Sequence, residues 1–172
     1  FQRRATTVIV EVLNSLRAAD RKAVEHLKRR RLEHVDSFFS SMTALGSAYL
    51  SGFFALLFAV LEPGLLLYVF VPLAATWALG YGLKIAVGRE RPSHPDLAVD
   101  VAPSFPSGHA LTSSFLAVKF SALVPDAAPV LFAAASAVCL SRVYLAAHYP
   151  SDVIAGSAIG VLSASVPWTA LF

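Results

Sequence analysis

The chain has 172 residues and a mass of 18.3 kDa, which is the length of a single domain. Its 56% of hydrophobic residues and its mean hydropathy of +0.64 exceed what the core of a soluble domain of this size requires. The excess apolar surface must therefore face something other than water. The single cysteine, Cys139, excludes an intrachain disulfide.

The first 36 residues differ from the rest, because they hold nine of the fourteen lysines and arginines of the chain, including a run of four at positions 28–31. The apolar residues here recur at helical spacing, and we expect them to form one face of a helix: Val12, Leu13, Leu16, Val24 and Leu27. The pattern predicts a basic amphipathic helix on an anionic membrane surface, with a simply solvated helix as the equal alternative. The basic run alone is weak evidence for nucleic-acid binding, and we predict none.

Long uncharged stretches predict membrane-spanning helices. Residues 43–61, 64–83 and 153–172 carry no charge, and each is long enough to cross ~30 Å of hydrocarbon. Two more spans are predicted over 107–124, which contains His109 and Lys119, and over 127–142, which ends at Arg142. We therefore predict an all-α, multi-pass transmembrane bundle of about five spans. A soluble bundle of short apolar helices is the alternative. The predicted division is a surface helix, 1–36, and a membrane-embedded core, 37–172.

The connections between spans predict where the polar groups meet. Residues 62–64 form a tight turn, whereas 88–106 form the longest polar loop, with four prolines. Two spans separate the basic N-terminal region from this loop, and two more separate the loop from His148. All three regions should therefore lie on one face of the membrane, which the positive-inside rule predicts to be cytoplasmic.

Three clusters of ionisable residues lie at the ends of predicted spans. In the first, Lys84 and Arg91 are seven positions apart, nearly two helical turns, so they point the same way if the helix continues through Gly88 to Pro92. Two cations converging at a membrane surface suit a phosphate dianion.

In the second cluster, Pro106, Ser107, Gly108 and His109 directly precede an apolar helix. Ser107 is a natural N-cap, and Gly108 allows close approach of a ligand to the backbone. The start of the helix offers free N–H groups to an anion, with His109 beside them. Taken alone, a histidine in this position is more often a passive residue near a cap.

The third cluster joins Arg142 to the segment from His148 to Asp152. Pro150 should end one helix and start the next, which places His148 at the corner and Asp152 in the following first turn. A carboxylate beside a histidine holds one ring nitrogen as N–H and leaves the other free to attack. A structural hydrogen bond is the alternative for any such pair.

Together the clusters resemble the three-part signature of the type 2 phosphatidic acid phosphatase superfamily. The matching elements are Lys84-x6-Arg91-Pro92, Pro106-Ser107-Gly108-His109 and Ser141-Arg142-x5-His148-x3-Asp152. The resemblance covers residues 84–152 and agrees in residues, spacing and order. Members of this family usually have six spans. Because the chain begins with Phe rather than Met, we expect that an upstream segment was trimmed.

The resemblance implies that His148 attacks phosphorus, that Asp152 orients His148, and that His109 protonates the leaving alkoxide. It also implies that five residues bind the phosphoryl oxygens: Lys84, Arg91, Ser107, Gly108 and Arg142. Because three cations and a helix start surround the phosphate, no metal and no cofactor are expected. Asp96 and Asp100 are expected to balance Arg89 or Arg91 rather than to bind a metal. A protonated His109 and a neutral His148 predict a bell-shaped pH–rate profile.

The predicted substrate is a lipid phosphate, because the site lies at span ends and lipid can enter between helices. Candidates are polyprenyl phosphates, pyrophosphates or phosphate sugars, phosphatidylglycerophosphate, phosphatidic acid and lipid A phosphates. Three rival functions are a soluble vanadium haloperoxidase, a non-catalytic lipid-phosphate binding or transport protein, and a phosphatase of soluble sugar phosphates. Gly156 and Gly160 in the last span predict helix packing, or alternatively a homodimer contact.

Overall fold

The computed structural model describes residues 2–30, 33–92 and 102–168, and its regular structure over these ranges is helical. The helices follow one another along the chain as α1 (Gln2–Lys28), α2 (Glu33–Leu45), α3 (Ala48–Leu61), α4 (Pro63–Leu65), α5 (Val71–Val87), α6 (Gly108–Leu123), α7 (Ala128–Tyr144) and α8 (Pro150–Ser165). A π-helical turn, Leu66–Phe70, joins α4 to α5, and a 3-10 turn, Pro125–Ala127, leads into α7. The prediction of an all-helical chain is confirmed for these residues.

The centre of the bundle is α6, which packs most closely against α8. Two glycines of α8 make this approach possible, because a Cβ on Gly156 would lie 2.4 Å from the carbonyl oxygen of Ser107. At Gly160 the corresponding distance to the carbonyl oxygen of Leu111 would be 2.3 Å. The predicted role of this pair in helix packing is therefore confirmed, and the partner helix is α6 of the same chain. This contact fixes Ser107 next to the start of α8.

Apolar surface faces outward over much of the bundle. Pro63–Val87 and Pro125–Tyr144 are long and apolar enough to cross a membrane, and their most apolar 18-residue stretches are only 33% and 22% buried. The core helix of a soluble protein would be mostly buried. Exposed apolar side chains also cover α3 and α8, among them Phe53, Val60, Ile154 and Leu162. These surfaces are those of a membrane protein.

The first predicted span does not form a single helix. The prediction of a helix over 43–61 is wrong at its start, because α2 ends at Leu45 and α3 begins at Ala48. Gly46 lies so close to α6 that a Cβ would be 3.0 Å from the carbonyl oxygen of His109. Ser47 then restarts the helix, since its hydroxyl accepts a hydrogen bond from the amide of Leu50 at 3.2 Å.

The last predicted span is also shorter than expected. Helix α8 ends at Ser165 instead of continuing toward residue 172. Val166 precedes Pro167 and has an extended backbone, the conformation that a following proline favours. The indole of Trp168 turns back and donates to the carbonyl of Ser163 at 2.8 Å. Residues 169–172 lie outside the described part of the chain.

Helix α1 packs against the bundle where α7 ends and α8 begins. On its inner side, Val24 and Asp20 are buried, whereas Val12, Leu13 and Leu16 are about half exposed. The predicted boundary between residues 36 and 37 falls inside α2. The N-terminal region thus lies beside the end of the bundle that carries His148.

We predict that Gly160→Ala destabilises the protein, because the added methyl group meets backbone atoms of α6 that cannot move aside. Overpacking of this kind costs about 1–3 kcal/mol. The matched control is Gly52→Ala in α3, where a Cβ meets nothing within 4 Å. Thermal unfolding in detergent, followed by tryptophan fluorescence, should show a lower midpoint for the first variant alone. Equal midpoints for both variants would contradict the close α6–α8 contact.

Candidate active site

A pocket of about 320 Å³ opens at the end of the bundle where α5 and α7 end and α6 begins. Six of the eight predicted site residues line it: Lys84, Arg91, Gly108, His109, Arg142 and His148. The other two, Ser107 and Asp152, are fully buried behind its wall. The lining also includes the apolar and aromatic side chains of Trp77, Tyr81 and Leu111. The tertiary structure therefore brings all three sequence clusters together.

Lys84 and Arg91 reach the pocket by a different route from the predicted one. The helix does not continue to Pro92, because it ends at Val87 and Gly88 adopts a left-handed conformation with φ of 58°. Lys84 donates to the carbonyl of Pro103 at 2.8 Å, and Nε of Arg91 donates to the carbonyl of Ala102 at 2.8 Å. Both cations are therefore held by backbone carbonyls of the segment before α6.

The start of α6 has the predicted geometry. Ser107 is the N-cap residue, and its hydroxyl accepts from the amide of Ala110 at 3.5 Å. Its own amide donates to the carbonyl of Asp152 at 3.0 Å, which links the second cluster to the third. A Cβ on Gly108 would meet nothing within 4 Å, so this side of the helix start is open. The amides of the first turn have no partner within the helix, which favours an anion here.

Arg142 extends from the last turn of α7 into the pocket. One terminal nitrogen donates to the hydroxyl of Thr43 in α2 at 2.7 Å, and this hydroxyl also lies 2.9 Å from that of Ser141. The backbone carbonyl of Arg142 accepts from the amides of Ala147 and His148, both at 3.1 Å. Arg142 therefore lines the pocket with its side chain and holds the corner that carries His148 with its backbone carbonyl.

His148 lies at the predicted corner, between Arg91 and Asp152. Its Nε2 is 3.4 Å from a terminal nitrogen of Arg91, and its Nδ1 is 3.8 Å from Oδ2 of Asp152. A guanidinium has no lone pair to offer, so Nε2 must be the acceptor in the first contact and the proton belongs on Nδ1. The ring therefore presents an unprotonated Nε2 on the side of Arg91. The separation from Asp152 exceeds a hydrogen bond, as is common for catalytic pairs before substrate binds.

The surroundings of His148 keep the imidazole neutral. Burial lowers the pKa of His148 to about 4, and the nearby charges of Arg142, Arg91 and Lys84 act in the same direction, whereas Asp152 opposes them. At neutral pH the ring is therefore uncharged and has a lone pair available.

Asp152 is held from three sides. Its Oδ2 accepts from the amide of Tyr149 at 3.0 Å, at the start of α8, and its Oδ1 accepts from Arg89 at 2.6 Å. Arg89 was assigned no role from the sequence beyond a partner for the acidic residues of the loop. It pairs with Asp152 and with Asp20 of α1, at 2.8 Å from the latter. Asp96 and Asp100, the expected partners, lie outside the described residues.

Three further residues were missed by sequence reasoning: Asp20, Ser151 and Thr43. Asp20 lies four residues after Leu16 and four before Val24, on the apolar face of the basic helix, and a carboxylate on that face was the available signal. Ser151 and Thr43 carry no such signal, because serine and threonine are common near helix ends.

Comparison with known families agrees with this geometry. The family model of the PAP2 superfamily matches residues 64–172, which is more than half of the chain and includes all three clusters. The chain belongs to the PAP2 superfamily. The resemblance inferred from the three motifs is therefore confirmed.

Characterised relatives are phosphatases of bacterial lipids. Decaprenylphosphoryl-5-phosphoribose phosphatase of Mycolicibacterium smegmatis is 45% identical over 78 residues, 43% of this chain and 42% of the relative. Lipid A 1-phosphatase of Rhizobium johnstonii is 37% identical over 103 residues, 54% of this chain and 42% of the relative. The chain thus spans less than half the length of these two relatives.

Two solved PAP2 structures share the fold. The transmembrane phosphatidylglycerolphosphate phosphatase of Bacillus subtilis superposes with a TM-score of 0.75 and 22% identity, over 92% of this chain and 86% of that one. LpxE of Aquifex aeolicus gives 0.72 and 23% identity, over 85% of this chain and 92% of that one. The fold is therefore that of the bacterial membrane members of the superfamily.

We predict that ¹⁵N spectra of the histidine-labelled protein in detergent show a neutral His148 ring with its proton on Nδ1 at pH 7. The signal should become that of an imidazolium only near pH 4, since burial lowers the pKa of this residue to about 4. The spectrum of His148→Gln assigns the signal by its absence. An imidazolium signal for His148 at pH 6 or above would contradict the described electrostatics.

Proposed function

We propose that this PAP2 protein is a membrane lipid phosphatase that acts through a phosphohistidine at His148. The observation that carries the proposal is a neutral imidazole whose Nε2 lies 3.4 Å from Arg91, in a pocket that Lys84 and Arg142 also line. A phosphoryl group held by these cations lies within reach of the nucleophile. Phosphoryl transfer requires positioning and positive charge more than covalent assistance from other groups.

In the first step, the Nε2 lone pair attacks phosphorus and the bond between phosphorus and the ester oxygen breaks. The departing alkoxide takes a proton from His109, so the products are an alcohol and a phosphohistidine. The proton on Nδ1 of His148 faces Asp152, whose negative charge stabilises the ring as positive charge develops on it.

In the second step, water attacks phosphorus and the bond between phosphorus and nitrogen breaks. His109, now neutral, accepts a proton from the water, and inorganic phosphate leaves. The enzyme returns to its starting protonation state. Two displacements thereby replace one slow hydrolysis, which is the general advantage of a covalent intermediate.

The phosphoryl oxygens bind to Lys84, Arg91 and Arg142 together with the open first turn of α6 at Gly108. Ser107 supports this turn as its N-cap, and its role as a phosphate-binding residue stays a prediction from the family resemblance. These groups supply the positive charge that a divalent cation provides in other phosphatases. We therefore propose a reaction that requires no metal and no cofactor.

The substrate we propose is a lipid phosphate. The apolar and aromatic side chains of Trp77, Tyr81 and Leu111 line the pocket, so an acyl or prenyl chain can remain in the bilayer while the phosphate enters. The relatives act on a polyprenyl-phosphate sugar and on lipid A, and a structural neighbour acts on phosphatidylglycerolphosphate. Polyprenyl-phosphate sugars are the first candidates, since the decaprenylphosphoryl-5-phosphoribose phosphatase is 45% identical over its matched residues and the lipid A 1-phosphatase 37%.

The membrane arrangement we propose has five spans: α3, the continuous helical segment Pro63–Val87 formed by α4, the π-helical turn and α5, and the helices α6, α7 and α8. Helix α1 lies along the surface at the end of the bundle that carries the pocket, with its half-exposed Val12, Leu13 and Leu16 toward lipid. The basic residues of this region favour the cytoplasmic face. The division into a surface helix and a core stays a prediction, as does a homodimer through the lipid-facing side of α8.

We predict that His148→Ala abolishes phosphate release from a lipid phosphate in detergent with EDTA present. Loss of a nucleophile lowers kcat by about 10⁴-fold or more. The panel should contain a decaprenyl-phosphate sugar phosphate, lipid A 1-phosphate, phosphatidylglycerophosphate and phosphatidic acid. His26→Ala, in an exposed position of α1, is the matched control and should retain activity. Absence of release from every lipid by folded wild-type protein would favour a lipid-phosphate binding protein instead.

We predict that His109→Gln affects substrates according to their leaving group. Removal of a general acid should slow hydrolysis of an alkyl phosphate by about 10²–10⁴-fold. An aryl phosphate such as para-nitrophenyl phosphate should be slowed much less, because its phenolate leaves without a proton. Equal losses on both substrates would contradict the assignment of His109 as the acid.

A further inference from the structure

Asp20 is a carboxylate buried at the junction of α1 with the active site. Its side chain is almost fully buried, although it belongs to a helix rich in cations. A buried carboxylate is costly unless it is paired and hydrogen-bonded. Asp20 has such partners in Arg89, from the loop after α5, and Ser151, from the first turn of α8. These contacts join segments that are 69 and 131 positions apart in the sequence.

Arg89 connects Asp20 to the acidic partner of His148. One terminal nitrogen of its guanidinium lies 2.6 Å from Oδ1 of Asp152, and the other lies 2.8 Å from Oδ2 of Asp20. The guanidinium also stacks over the ring of Tyr149, 4.2 Å from its centroid. Burial lowers the pKa of Arg89, but the two carboxylates outweigh it and the net shift is upward. The ion pair with Asp20 therefore keeps the positively charged guanidinium of Arg89 in contact with the carboxylate of Asp152.

Asp20 also caps α8. Its Oδ1 accepts from the backbone amide of Ser151 at 3.1 Å, and the hydroxyl of Ser151 donates to its Oδ2. Ser151 immediately precedes Asp152, and a carboxylate at a helix start stabilises the first turn through its free N–H groups and the helix dipole. The same carboxylate thus fixes the backbone that carries Asp152 and the cation that contacts it.

Removal of the Asp20 charge would leave Arg89 with a single carboxylate to satisfy. The guanidinium of Arg89 would then rotate to form a bidentate ion pair with both carboxylate oxygens of Asp152. This pairing would move Oδ2 of Asp152 away from Nδ1 of His148. Asp152 would stabilise the imidazolium that develops during attack less effectively, because its charge would be neutralised more fully by Arg89. Substrate contacts in the pocket would remain, since Asp20 does not line it.

We propose that Asp20 is a positioning residue for the His148–Asp152 pair and acts through Arg89 and Ser151. Helix α1 is on this view a part of the catalytic unit, in addition to any contact it makes with the membrane surface. The proposal rests on the proposed phosphatase function, because the pair it supports is assigned by that function.

The test compares Asp20→Asn with Glu25→Gln in the full-length protein in detergent. Both changes replace one carboxylate of α1 by its amide, and Glu25 is exposed. Removal of a residue that orients a functional side chain by hydrogen bonding, as measured for the partners of metal ligands, typically lowers activity about 10- to 100-fold. We therefore expect kcat of Asp20→Asn to fall by that factor with KM within about twofold, and Glu25→Gln to match the wild type. Equal kcat values for both variants would overturn the proposal.

A double-mutant cycle with Arg89→Lys separates positioning from general destabilisation. Because Asp20 acts in part through Arg89, the loss of activity in the double variant should be smaller than the sum of the two single losses in free energy, whereas independent structural effects would add. Fully additive losses would refute the proposed route. Thermal unfolding midpoints of all variants identify any loss that reflects unfolded protein.

A readout that does not depend on turnover distinguishes this proposal from the proposed function. The ¹⁵N signals of His148 at pH 7 should move in Asp20→Asn and stay in place in Glu25→Gln, because only the first change alters the pairing of Arg89 and with it the position of Asp152. If the His148 signals move in Asp20→Asn but the wild-type protein releases no phosphate, the phosphatase function is refuted and the link from Asp20 to His148 is supported. Unmoved signals in an active enzyme would refute this link alone.

Discussion

The carboxylate of Asp152 is the group on which the arrangement of the site depends. It is fully buried, and each of its contacts joins a different part of the chain. It accepts the amide of Tyr149 at the start of α8 and the guanidinium of Arg89, and it faces Nδ1 of His148. Its backbone carbonyl accepts the amide of Ser107. One residue thus links the loop after α5, the start of α6 and the corner that carries His148.

Close helix packing makes this convergence possible. The start of α8 can reach Ser107 only because Gly156 and Gly160 remove the side chains that would otherwise separate α8 from α6. Small residues perform this function in membrane bundles, where lipid tails are as apolar as leucine and burial drives helix association only weakly. The contact therefore allows the amide of Ser107 to donate to the carbonyl of Asp152 at 3.0 Å, which joins the start of α6 to the start of α8.

The position of the site at the end of the bundle follows from electrostatics. Beyond residue 36 the chain contains five lysines and arginines, and four of them lie around the site: Lys84, Arg89, Arg91 and Arg142. Such a concentration of charge is unfavourable in hydrocarbon but acceptable at the interface, where water, backbone carbonyls and an anionic substrate provide partners. The fifth, Lys119, is buried with its ammonium over the ring of Tyr68 at 4.3 Å. A lipid phosphate suits this arrangement, because its chain and its head group match the two environments that meet at the pocket.

The sequence alone determined the helical class, the superfamily and the eight candidate site residues. These features are local: uncharged stretches have a length, motifs have a spacing, and Ser107 and Pro150 mark helix starts by their own chemistry. Tertiary structure decided the remainder. The break at Gly46 and Ser47 and the pairing of Asp20 with Arg89 depend on which helix faces meet. No periodicity in the sequence specifies a contact between residues 20 and 151, since it arises only when α1 packs across the start of α8.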